Sequence, residues 1–188
     1  MSIFDRLLKP NPAPQAAPSP AKVAAKQETF TFSALPESLE QLQALPEAVL
    51  DSPFKTAALT VCALCAYGAD PQVGTQMLNW LKGPRPLTNH ELSFLKDQFR
   101  DGIHVPFSYF KGAAPDNDYT PAYPFTLEIE AGPYADANPG YKKLHIPSGG
   151  ADNPREIVLR QKGNGQWFLW EQYLMVGIRQ PKSEDPWA

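Results

Sequence analysis

The chain has 188 residues, 43% hydrophobic and 20% charged, which is enough for one domain with a substantial core and short for two. Its net charge of −3 is uneven: residues 1–28 carry Arg6, Lys9, Lys22 and Lys26 against Asp5 and Glu28. Of 17 basic and 20 acidic side chains the remainder therefore holds 13 and 18, a mildly acidic body that disfavours general nucleic-acid binding.

The opening MSIFDRLLKP has no apolar run of signal-peptide length, because Asp5 and Arg6 interrupt it. Ile3, Phe4, Leu7 and Leu8 fall on one side of a short helix. Two helical turns are marginal in water, so a frayed terminus is the plain expectation, and docking on a partner or a membrane surface is the alternative. Residues 9–28, KPNPAPQAAPSPAKVAAKQE, hold five prolines and only Val23 as a large apolar residue. They read as a disordered Pro/Ala-rich linker, so residues 1–28 form leader and linker and residues 29–188 one domain.

The body opens with TFTFS, where Phe30 and Phe32 alternate with threonines, a short strand. ALPES at 34–38 and ALPEA at 44–48 read as two short helical segments, with proline and glutamate near their starts. Ser52-Pro53 caps a helix whose run FKTAALTVCALCAY is apolar nearly all round, as in a helix buried on most sides. Asp70-Pro71 starts a second, with a stripe of Val73, Met77, Trp80 and Leu81, stopped at Gly83-Pro84. Thr88 with Glu91 gives a capping box for a third, whose inner face is Leu92, Leu95 and Phe99 and whose end is Gly102.

Residues 108–124, SYFKGAAPDNDYTPAYP, have no helical or strand period. Tyr109, Phe110, Tyr119 and Tyr123 are too apolar for a mobile linker, and Pro106, Pro115, Pro121 and Pro124 lower the entropy of fixing it. The stretch reads as an ordered strap from helices to sheet, with Asp116, Asn117, Asp118 and Tyr119 at its polar tip as the place to look for binding. The period then becomes 2: TLEIEA, KKLHI, REIVLRQ and QWFLWEQ form a meander of about four strands, with a hairpin connection at Lys162-Gly-Asn-Gly165. Helices first and antiparallel strands second make an α+β domain, its helices on one sheet face.

Few motifs carry chemistry. Cys62-Ala-Leu-Cys65 matches a redox spacing, but both cysteines sit deep in an apolar helix, so they read as core residues. With only two cysteines there is no disulfide framework, and the expected compartment is reduced and cytoplasmic. His90, His104 and His145 share no metal-ligand spacing. Glu128 and Glu130 face the side on which Lys143, His145, Arg155 and Arg160 are expected, so a wet face of cross-strand charge pairs is preferred to a carboxylate pair for catalysis. Ser148-Gly-Gly-Ala-Asp-Asn-Pro-Arg155 lacks the lysine and helix of a phosphate loop and reads as a turn. Trp167 and Trp170 are out of phase, one toward the core and one toward the other face beside Tyr173, where the strap is expected to cover it.

The phrases SYFKGAAPDNDYTPAYPFTLEI, SGGADNPREIVLR and QWFLWEQYLMVGIRQPKSEDPW, in that order, resemble an uncharacterised bacterial domain-of-unknown-function family over about residues 29–188. The resemblance implies a bacterial, intracellular, single-domain protein and carries no activity, cofactor or catalytic residue with it. The leading expectation is a non-enzymatic interaction or scaffold module with a protein partner, no nucleic acid, no cofactor and no metal. Its candidate surface is Tyr109, Asp116, Asn117, Tyr119, Trp170 and Tyr173. The alternative is a small-molecule-binding protein or enzyme whose cleft, between helices and sheet, is lined by Tyr109, Tyr119, Trp170 and Glu128.

Overall fold

A computed structural model describes residues 26–187. The expected leader, and the linker as far as residue 25, lie outside them. Five antiparallel strands form one sheet in the order of the chain: β1 (Lys26–Phe32), β2 (Phe125–Ala131), β3 (Tyr141–Ile146), β4 (Arg155–Gln161) and β5 (Trp167–Gln172). The fold is α+β, with five strands rather than about four. The first strand begins at Lys26, inside the stretch read as linker, because Lys26 to Phe32 pair residue by residue with Ala131 to Phe125.

Among the described residues four helices precede the meander of β2 to β5: α1 (Leu39–Gln43), α2 (Pro53–Ala69), α3 (Pro71–Lys82) and α4 (Asn89–Phe99). The caps are the expected ones for the last three. The Ser52 hydroxyl accepts from Phe54 N, Asp70 from Gln72 N and Val73 N, and Thr88 and Glu91 exchange both bonds of a capping box. The first short helix starts later than expected. Ser38, not Pro36, precedes it, because the serine hydroxyl accepts from Gln41 N, and a 3-10 turn follows at Pro46–Val49.

Helix α2 is the centre of the core. Phe54 and every residue from Thr56 to Tyr67 are buried, and the helix lies against β2, β3, β4, β5 and α3. From the sheet it meets Leu127, Ile129, Leu144, Ile146, Ile157, Leu159 and Leu169, the inward set of the period-2 pattern. Each fully buried leucine here contributes about 1.5–3 kcal/mol through removal from water. Two polar residues go into this core with partners: the Thr56 hydroxyl donates to Trp167 O at 2.8 Å and Thr60 to Thr56 O at 2.8 Å. Helix α3 crosses α2 closely enough that a Cβ at Gly74 would collide with the backbone of Tyr67. Gly83 ends α3 at φ +59°, with the Phe168 ring packed where a side chain would go.

The strap is ordered. Lys111 N donates to Thr126 O at 2.7 Å, Ala122 N to Lys111 O at 2.8 Å and Gly149 N to Ser108 O at 2.8 Å. Tyr109, Phe110 and Tyr119 are buried. Tyr123 departs from the expectation: it is 75% exposed, with its ring edge-on to Phe125. No helix among the described residues is long and apolar enough to cross a membrane.

Candidate functional site

The six residues expected to form one surface separate into two groups. Tyr109 and Tyr119 are anchors. Each hydroxyl donates to a main-chain carbonyl of the segment after β5, Tyr109 to Leu174 O and Tyr119 to Arg179 O at 2.7 Å. Burial raises both phenol pKa values, so neither is poised for proton transfer near neutrality. Asn117 holds the strap's turn together, accepting from Ala114 N and donating to Gly112 O and Thr120 O. Asp116 pairs with Lys182 at 3.4 Å, and Asp118 accepts from the Ser183 hydroxyl at 2.7 Å. Asp116, Asp118 and Tyr119 thus engage the chain's own segment 174–184, and Asn117 engages the turn itself.

Trp170 and Tyr173 belong to the other group, on the face of the sheet turned away from α2. The strap does not cover Trp170, because its aromatic anchors are committed to residues 174 and 179. Alternation with the buried Leu169 turns Trp170 outward, and a bulge occurs at this position. Leu159 pairs with Leu169 and Val158 with Glu171, which leaves Trp170 as the extra residue. Its carbonyl is held by the buried Lys82 ammonium at 3.2 Å. On the outer face Trp170 meets Tyr141 edge-on at 5.5 Å, with the Arg85 guanidinium 4.3 Å and that of Arg160 4.8 Å from its ring centre. Tyr173, 48% exposed, donates to Glu171 at 3.1 Å, and Tyr134, 78% exposed, stands on the β2–β3 turn. These aromatics border a concavity of about 490 Å³ whose wall also holds Lys143, Glu156 and Glu171, and Trp170 borders a second of about 370 Å³.

The expected cleft between helices and sheet exists with different walls. Of the four, Tyr109 and Glu128 border one outward concavity of about 270 Å³, which Tyr119 and Trp170 do not reach. Glu128 faces outward and pairs with Lys111, and core side chains close the layer where the four were expected to meet. An apolar cavity of about 340 Å³ instead opens at the end of β5 between α3 and α4, walled by Leu64, Leu78, Leu87, Phe94, Leu169 and Val176. At its wall Lys82, 3% exposed, donates to Glu91 at 2.7 Å. Partial burial acts to raise the Glu91 carboxyl, but hydrogen bonds from Lys82 and from the Thr88 amide and hydroxyl outweigh it and hold the pKa at about 2.

The remaining motifs behave as ordinary structure. Cys62 and Cys65 are free and buried, and burial pushes both thiols up. The outer charges pair across strands, Lys143 with Glu156 at 3.0 Å and His145 with Glu156 at 3.9 Å. Arg155 departs from that face and donates to the carbonyls of Val176 and Asn153. Among the described residues there is no group of three or more metal-ligating side chains.

A family model described as a domain of unknown function, DUF6935, matches residues 34–182. The chain belongs to the DUF6935 family. No curated protein and no solved structure matches the chain. The DUF6935 match begins after β1 and ends within the segment that Tyr109 and Tyr119 tie down, so the strap and its anchorage both lie inside it.

Within this DUF6935 domain, sequence reasoning identified Trp170 and Tyr173 but missed Tyr134, Tyr141, Arg85 and Arg160 around them. Tyr141 and Arg160 are register partners in β3 and β4, a relation set by pairing rather than by local sequence. Lys82 did carry a signal: it lies four residues after Leu78 on the buried stripe of α3, where a lysine requires a partner.

Proposed function

We propose that this domain is a non-enzymatic protein-interaction module that receives its partner on the uncovered outer face of the sheet. The observation that carries the reading is Trp170, outward by its alternation with Leu169, placed at a bulge and set among Tyr141, Tyr173 and two arginines. Tryptophan, tyrosine and arginine are the residue types that dominate binding energy at protein interfaces. Among the described residues no helix lies over this face, and the Tyr109 and Tyr119 hydroxyls are taken up by main-chain carbonyls. The setting expected for it is a reduced cytoplasm.

The test compares proteins captured from the source cells by the wild type and by Trp170→Ala and Tyr141→Ala variants of unchanged thermal stability. A partner purified from the captured set binds the wild type in calorimetry and loses at least tenfold in affinity for the variants. Equal affinity for all three proteins overturns the reading.

A second reading rests on the 340 Å³ apolar cavity beside Lys82 and Glu91, whose size falls in the range of small-molecule sites. It makes the protein a binder of a small apolar ligand. Strong thermal stabilisation by one such ligand supports this reading, and loss of that effect in Leu78→Trp places the ligand in the cavity.

A further inference from the structure

The pocket of about 370 Å³ at the edge of β5 is bordered by Pro84, Arg85, Arg160, Lys162, Phe168 and Trp170, and among the described residues no acidic one borders it. That is unusual in a chain whose net charge is −3. Of the carboxylates nearby, Glu91 is paired with Lys82, Asp136 with Lys142 and Glu156 with Lys143, while Glu171, on the other side of Trp170, accepts from the Tyr173 hydroxyl. Arg85, Arg160 and Lys162 enter no ion pair among the described residues.

Geometry prepares two of these cations for an anion. Arg85 and Arg160 both lie over the Trp170 ring, and Arg160 also lies 5.0 Å from the centre of Tyr141. Stacking fixes the plane of a guanidinium and leaves its N–H edge free for a carboxylate. Arg160 uses one donor, to the Tyr141 hydroxyl at 2.6 Å. The platform is itself fixed, because Lys82 holds the Trp170 carbonyl at the bulge.

We propose that Arg85, Trp170 and Arg160 form a clamp for the carboxylates of an acidic peptide segment, a partner chemistry that rests on the interaction reading above. A long polyanion such as nucleic acid is repelled by the acidic body, whereas a short acidic segment meets only the local cluster. Trp170 also borders the neighbouring concavity, whose wall carries Glu156 and Glu171 beside Lys143, so the acidic segment lies on the side of the ring that holds Arg85, Arg160 and Lys162, where successive carboxylates each meet a cation.

The test titrates the full chain with an end-blocked hexaglutamate peptide, with hexaglutamine and with inorganic phosphate, following the indole N–H resonance of Trp170, assigned from Trp170→Phe. Hexaglutamate shifts that resonance with an affinity that falls as salt rises. Arg85→Gln with Arg160→Gln weakens it at least tenfold, and Lys96→Gln, on exposed α4, leaves it unchanged. Hexaglutamine and phosphate leave the resonance in place. Silence toward hexaglutamate, equal binding by the double variant, or an equal response to phosphate overturns the clamp. Partner capture that depends on Trp170 without hexaglutamate binding sinks the clamp alone and leaves the interaction reading standing. Hexaglutamate binding at Trp170 without a partner that depends on it keeps the anion site and sinks the interaction reading.

Discussion

Replacing Glu91 by glutamine removes the negative partner of a lysine that is 3% exposed. The magnitude follows from the geometry. The carboxylate accepts from Lys82 at 2.7 Å, Thr88 N at 2.8 Å and the Thr88 hydroxyl at 2.7 Å, and its pKa is brought from 4.5 to about 2. That difference corresponds to about 3 kcal/mol at full strength. Glu91's side chain is 31% exposed, so solvent screening reduces the expected loss to about 2 kcal/mol. Because the folded pKa lies below the unfolded one, this stabilisation is complete above the unfolded value and is lost as pH falls through the folded one. The stability gap between wild type and Glu91→Gln in urea denaturation is therefore widest above about pH 5 and closes near pH 2. Adding Lys82→Met to Glu91→Gln recovers most of the loss, since the buried charge then no longer lacks a partner. A gap below about 0.5 kcal/mol at neutral pH, or one that does not change with pH, refutes the reasoning.

Gly74→Ala gains helix propensity but forces a Cβ into the Tyr67 backbone, and the net expectation is a loss of about 1–3 kcal/mol by thermal or chemical denaturation. Asn117→Ala removes three hydrogen bonds from the strap's turn and speeds proteolytic nicking within residues 112–120, while Tyr123→Ala, at an exposed position, does not. Tyr119→Phe leaves the Arg179 carbonyl without its donor and costs about 1 kcal/mol, read as a lower urea midpoint. Cys62 and Cys65 react with a thiol reagent only on unfolding, so native-state labelling at neutral pH is slow and denaturant makes it immediate.

Elements that local chemistry specifies were legible in the sequence. The caps at Ser52, Asp70 and Thr88, the all-round apolar face of α2 and the alternation of β2 to β5 each follow from residues a few positions apart. The first strand was legible only from Thr29, because Lys26 to Glu28 become strand through pairing with Ile129 to Ala131, just over a hundred residues on. The candidate surface was half legible. The phase of Trp170 against Trp167 showed that it points outward, but the bulge, the two arginines and Tyr141 come together only through cross-strand register and the α3–α4 turn.

By itself, the sequence determined the α+β order, the buried helix, the ordered strap and the acidic body, since periodicity, capping and composition act within a short reach along the chain. Tertiary structure alone decided that the strap's tyrosines grip the segment after β5 and that Lys82 meets both Glu91 and the bulged carbonyl. It also decided that cations without an ion pair among the described residues gather around one tryptophan. Each of these joins residues distant along the chain, and sheet register and helix packing, not local propensity, bring them within hydrogen-bonding or stacking distance.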